Sequence, residues 1–462
     1  MHQPHHFIRQ LVFVSFIAMT ISSCNVKKDE QATGTFKVPV EYYKLKNGLK
    51  VALSQDKTSP TVAIAVYYNI GFRIEPKDRT GFAHLFEHMM FQGSQNLGKM
   101  EFIKLVQSNG GILNGSTRFD FTNYFEVMPA HKLETALWAE ADRMKGLAIT
   151  QDNLTNQQGV VKNEVRVNVL NQPYGGFPWL DMPQYANENW FNAHNFYGDL
   201  KDLDSAKLED VNSFFKTFYA PNNASIAVVG DFEMEEAKNW IEKYFGGIAS
   251  SNLPAKPDIS EPKQEKEKRF TKEDKLAEKP AIAVAYKMPE RNTPEYYAMG
   301  LIDQMLVQGQ DSKLYLSLVQ GKGYTGSISG GINYLGNMYN YQGPMVWMAD
   351  LIYDSKVSPD SILYQVDKAV SELQTNVTQE DLDLAVVKIR SKLYDDLGGF
   401  FGIGRADMLA CFALFDDDPG RINSLEDEFR KVTPALIQQT AQEYLRQTNR
   451  TIIIVDPKAK AK

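Results

Sequence analysis

Apolar runs separated by polar loops recur in the same order in the two halves of the chain. Thr61 to Tyr67 is a β-rich run followed by a loop and an amphipathic helix through His84 to Phe91. Ala281 to Tyr286 is a second such run, again followed by a loop and a helix, through Gly300 to Val307. The two helices align without a gap at an offset of 216 positions. Leu85, Met89 and the Gln92-Gly93 pair then face Leu301, Met305 and the Gln308-Gly309 pair, and His84, Glu87 and His88 oppose Gly300, Asp303 and Gln304. Late in each half the pattern returns: Tyr219 to Val229 resembles Tyr444 to Val455, and both predict a helix leading into an edge strand. Repetition in matching order points to a duplicated α+β domain in which only the first copy keeps a polar constellation.

The expected architecture is therefore α+β, with two homologous sheet-plus-helix domains forming a clamshell. The expected domains are residues 36–250 and 276–462, joined by a linker, 251–275. Ser251, Pro254, Pro257, Pro262 and the charged run Lys263 to Arg269 make that linker read as exposed and able to let the halves close over a shared space. A chain of 462 residues is long enough for two buried cores. At 43% hydrophobic and 23% charged residues its composition is that of a globular protein, which excludes a membrane transporter and a disordered polymer. The net charge of -7 argues against nucleic acid as a partner.

Residues 1–24 read as a targeting segment. His5, His6 and Arg9 precede an apolar stretch from Leu11 to Ile21 that is short for a membrane span. The stretch ends in Ile21-Ser22-Ser23-Cys24, which resembles a bacterial lipobox and implies a lipid tether on Cys24. Residues 25–35 read as a polar spacer, in which Lys28-Asp29-Glu30 is similar to a surface-export tag. The expected location is the cell envelope of a Gram-negative bacterium, as a periplasmic or outer-membrane lipoprotein. The other cysteine, Cys411, lies in an apolar run and is expected to be a buried free thiol.

His84 and His88 stand at i and i+4 on the first predicted helix. One turn apart, at about 6 Å along the axis, both rings reach one metal ion. Zinc, with Zn–N distances of about 2.0–2.1 Å, suits such a pair. Glu87 projects from the same side, where a general base takes a proton from water. Two surface histidines beside a helix-stabilising carboxylate would look alike, but the flanking residues are strongly apolar, and unpaired polar groups beside a buried face cost several kcal/mol.

A catalytic zinc site needs a third protein ligand. His84-x-x-Glu87-His88 is the inverted zincin motif, and its surroundings resemble the pitrilysin family, which includes insulin-degrading enzyme and the mitochondrial processing peptidase. The resemblance runs from about Val38 to Val455. It implies that the third ligand is Glu164, in Val160-Val161-Lys162-Asn163-Glu164, 76 positions after His88. It also implies that Asn114, Gly115 and Ser116 belong to an edge strand that pairs with the substrate backbone. Two departures stand out. Gln157 occupies the position of a second glutamate found in many members, and Val319 stands where an arginine that binds the substrate carbonyl is expected, leaving Tyr324 as the matching tyrosine only after a shift in alignment.

The implied function is a zinc-dependent endopeptidase acting on peptides or unfolded segments, with Glu87 as the base. The implied partner is a homologous subunit, in a homodimer or in a heterodimer in which this chain bears the metal. The alternative is a non-catalytic structural or peptide-binding lipoprotein of the same fold, for which Val319 and Gln157 are the support.

Overall fold

Two sheets carry the chain, and the second repeats the plan of the first. The structure, a computed structural model, describes residues 37–399 and 402–457; the expected leader, Cys24 and the spacer lie outside the described residues. The first sheet contains β1 (Glu41–Lys44), β2 (Lys50–Gln55), β3 (Thr61–Tyr68), β4 (Ile112–Thr117), β5 (Thr122–Pro129) and β6 (Ala224–Gly230), in the order β1-β2-β6-β3-β5-β4. The second contains β7 (Lys268–Asp274), β8 (Ala281–Lys287), β9 (Ser329–Ile332), β10 (Val346–Ile352) and β11 (Arg450–Pro457), in the order β7-β11-β8-β10-β9. In each sheet one pair is parallel, β2 with β6 and β7 with β11, and the rest are antiparallel. The fold is thus α+β with two sheet-plus-helix domains.

The first half carries α1 (Phe82–Met89), α2 (Glu101–Ser108), α3 (Leu133–Lys145), α4 (Gln151–Val165), α5 (Asp181–Ala186), α6 (Trp190–Ala193), α7 (Leu200–Ser205), α8 (Leu208–Phe218) and α9 (Met234–Phe245). The second carries α10 (Pro294–Leu306), α11 (Pro359–Thr375), α12 (Gln379–Gly398), α13 (Ile403–Asp416), α14 (Leu425–Arg430) and α15 (Pro434–Tyr444). Among the described residues no single helix is long and apolar enough to cross a membrane.

Two expectations change. The late strands β6 and β11 are not edge strands: each is flanked on both sides, because β2 and β7 add in parallel outside them. The stretch 251–275 is not linker throughout, since its last part, 268–274, forms β7, the counterpart of β2. Its lysines and acids read as solvated coil because β7 is an edge strand with every second residue exposed, and charge is what edge strands tolerate.

Residue size along the central strands shows how the halves are joined. Successive side chains of a strand point to opposite faces. On β3, Val62, Ile64, Val66 and Tyr68 enter the core shared with Phe82, Leu137, Phe214 and Ile241 of the same half. Ala63, Ala65 and Tyr67 face the other way, where α13 from the second half packs. The second sheet mirrors this arrangement. Ile282, Val284 and Tyr286 of β8 pack with helices of their own half, while Ala281, Ala283 and Ala285 meet Met182 and Ala186 of α5, from the first half. Alanines on those faces leave room for the exchanged helices.

Polar contacts hold α13 in place. Ser225 Oγ donates to the Ala410 carbonyl at 2.7 Å, Lys50 Nζ donates to the Leu414 carbonyl at 2.7 Å, and Arg405 pairs with Asp56 at 2.8 Å. Cys411 on this helix is a buried free thiol, as expected. Enlarging a residue under α13 forces close-packed neighbours off their rotamers, so Ala65→Leu is expected to cost about 1–3 kcal/mol. Urea unfolding would register this as a lowered midpoint; an unchanged midpoint would mean that α13 does not pack closely on Ala65.

Candidate metal centre

Helix α1 presents Phe82, Leu85, Phe86 and Met89 to the core, a spacing of i, i+3, i+4 and i+7 that fixes its rotation about its own axis. That rotation brings His84, Glu87 and His88 to the side facing α4. The entry to α1 is tightly held. The Glu75 carboxylate, itself fully buried, accepts the backbone N–H of Gly81 at 2.9 Å and of Ala83 at 2.6 Å, satisfying donors that a first helical turn leaves unpaired. Helix α4 is capped at its start by Thr150, whose hydroxyl accepts the Asn153 N–H, and buries Leu154, Gln157, Val161 and Val165. Glu164 is one residue off that stripe and reaches toward α1.

Three donors converge. His84 Nε2 and His88 Nε2 are 3.3 Å apart, Glu164 Oε1 is 3.6 Å from His84 Nε2, and Glu164 Oε2 is 3.2 Å from His88 Nε2. Tetrahedral zinc with bonds of about 2.0–2.1 Å sets its ligand atoms about 3.3 Å apart. The three residues form the one such group among the described residues, with donors within 4.8 Å of one another. Burial, followed by the neighbouring His88, pushes the His84 pKa down to about 4, so its ring is neutral at physiological pH, the form that ligates. The hydrogen bond from His88 holds the Glu164 carboxyl below the usual range. Two imidazoles and a carboxylate are a zinc donor set, and the residues fit that ion.

Glu87 lies outside the triangle. Its Oε2 accepts the Thr117 hydroxyl at 2.7 Å, and burial raises its pKa against the lowering effect of that bond. Thr117 ends β4, the outermost strand of the first sheet, so the Asn114, Gly115 and Ser116 expected to meet substrate do lie on an open edge. Tyr324 lies in the second half. It follows the helical segment Tyr315–Gly321, its backbone bonds to Leu318 and Asp354, and no hydrogen bond, ion pair or ring contact among the described residues joins it to the histidines or Glu164. Gln157 is buried in α4 and donates to the Asn156 side chain at 2.8 Å.

The sequence left three supporting residues unassigned. Tyr197 donates its hydroxyl to Glu164 Oε1 at 3.3 Å and sets its ring edge-on to His84, with centroids 5.1 Å apart. Glu75 caps α1, and Thr117 holds Glu87. Only Thr117, next in sequence to the expected edge residue Ser116, carried any signal.

Comparison with known proteins agrees with this geometry. Residues 50–189, which contain all three donors, match the family description "Insulinase (Peptidase family M16)", and residues 205–388 match "Peptidase M16 inactive domain". The chain belongs to peptidase family M16. Among curated M16 relatives, the protein of Helicobacter pylori named "Zinc protease PqqE" is 25% identical over 424 residues, covering 89% of this chain and 92% of that one. A solved structure described as a protease from Helicobacter pylori superposes with a TM-score of 0.82 at 24% identity, over 91% of this chain and 100% of that one. A Pseudomonas fluorescens structure described as a peptidase M16 inactive domain has a TM-score of 0.77 at 17% identity, over 92% and 99% of the two chains.

The neutral His84 ring has a measurable consequence in the metal-free protein. Between pH 6.5 and about 4 an unfolded histidine is protonated while the folded His84 is not. The unfolded state then binds more protons, and stability falls as pH drops through that window. At about 1.4 kcal/mol per pH unit the loss approaches about 3 kcal/mol. Denaturant titrations of metal-free wild type and His84→Gln at pH 7 and pH 4.5 should show a smaller pH-dependent loss in the variant; equal losses would contradict a buried neutral ring.

Proposed function

We propose that the chain is a zinc-dependent endopeptidase. The observation that carries this reading is the spacing of His84, His88 and Glu164, which matches a tetrahedral ion, with Glu87 beside them and outside the ligand set. When bound, zinc supplies Lewis-acid polarisation of the scissile carbonyl and lowers the pKa of water toward neutrality. His84, His88 and Glu164 hold the ion. Glu87 accepts the proton of the attacking water and passes it to the leaving amine. Tyr197 steadies Glu164.

The exposed edge of β4 suits an extended peptide, because main-chain hydrogen bonds hold any sequence in register; Asn114, Gly115 and Ser116 would supply them. A relative named as a zinc protease and matching nearly nine-tenths of the chain supports the same reading. Tyr324, in the second half, suits a role on a substrate held between this chain and a homologous subunit, in a homodimer or heterodimer. A lipid on Cys24 would keep the enzyme at the cell envelope.

Val319, where a carbonyl-binding arginine is expected, favours a second reading, in which the chain binds peptides without cleaving them unless a partner supplies that group. One set of variants separates the two. In the peptidase, Glu87→Gln retains zinc and loses at least about 100-fold in turnover of a quenched fluorescent peptide, whereas His88→Ala loses both zinc and turnover. Unimpaired turnover in Glu87→Gln would refute the base assignment, and a zinc-loaded wild type that cleaves nothing, with or without its homologous subunit, would leave the binding protein.

A further inference from the structure

The geometry points to Thr117 as the positioning residue for Glu87, setting the general base by reference to the strand that aligns the substrate. This rests on the peptidase reading and goes beyond it. Glu87 has two carboxylate oxygens in unlike surroundings. Oε2 accepts the Thr117 hydroxyl at 2.7 Å, while Oε1 accepts no hydrogen bond from the described residues. The hydroxyl has one proton and two acceptors within reach, Glu87 Oε2 and the Ala83 carbonyl at 3.4 Å. The shorter contact to the charged acceptor takes it. One oxygen is thereby held and the other left for water.

The donor is itself rigid. Thr117 is 4% exposed, its β-branched side chain has few rotamers, and its backbone is paired with Thr122, whose hydroxyl donates to the Ile70 carbonyl at 2.8 Å. Thr117 ends the same strand whose edge carries Asn114, Gly115 and Ser116. A peptide registered on that edge and a carboxylate tethered to its last residue share one frame. Small movements of α1 against the sheet then leave the base aligned with the peptide backbone.

A plainer reading is that Glu87 only satisfies a buried threonine hydroxyl. The two readings part at Thr117→Val, which keeps the shape and removes the donor. A hydrogen bond to a charged group is worth a factor of about 10 to 100. The expected result for the zinc-loaded enzyme is a kcat lower by about that factor, with KM and zinc content unchanged. Thr117→Ala should show the same loss, and Thr117→Ser should recover to within a few-fold of wild type. A second readout does not need turnover. Affinity for a peptide hydroxamate, whose proton Glu87 must accept, should weaken in Thr117→Val, while affinity for zinc itself, measured by chelator competition and set by His84, His88 and Glu164, should not. Wild-type kcat and hydroxamate affinity in Thr117→Val would overturn the proposal, as would a loss confined to KM. If the wild type cleaves no peptide, the peptidase reading fails and the hydroxamate comparison still judges the Thr117 contact.

Discussion

The close packing of α1 on its neighbours is the constraint from which the site follows. An eight-residue helix has little stability of its own, so its position must be imposed from outside. Two backbone contacts do this. Gly81 enters the helix in the left-handed conformation at φ 84°, and a Cβ there would stand 2.6 Å from the Tyr197 carbonyl. Gly198 approaches so near that a Cβ on it would fall 2.4 Å from the Gly81 nitrogen. Paired glycines therefore lock the start of α1 to the segment that carries Tyr197, and Glu75 closes the first turn from the other side. His84 and Glu164 are brought together by the same contact that joins their supports.

The exchanged helices extend this rigidity to the substrate side. Asn123, on β5 next to the open strand β4, accepts the Ser116 hydroxyl at 2.5 Å and donates to Asp407 of α13 at 3.0 Å. Burial raises the Asp407 pKa, as expected for a carboxyl enclosed between the halves. The edge expected to hold peptide is thus braced by a helix from the second domain, although every metal donor comes from the first. The second domain, which has no metal group of its own among the described residues, contributes the face on which the first is built.

Much of the chemistry was legible along the chain because it is local. The i, i+4 spacing of His84 and His88 on an amphipathic helix, with Glu87 between them, points to a shared ion and a neighbouring base before any fold is known. The duplication was legible because two strand-and-helix patterns recur in one order. Other features were not. β7 reads as linker because an edge strand and a solvated coil have the same composition, and β6 and β11 read as edge strands because a parallel neighbour leaves no mark in the strand it joins.

The sequence by itself pointed to the two histidines, to Glu87 beside them, to the repeated α+β plan and, through family resemblance, to Glu164 as third candidate donor. Only the tertiary structure decided the 3.2–3.6 Å spacings among the donors, the hold of Thr117 on Glu87 and of Tyr197 on Glu164, and the exchange of α5 and α13 between the sheets. The reason is range. Helical periodicity links residues three or four apart, whereas contacts between residues 30 or more positions apart depend on how helices and strands pack, which no local pattern records.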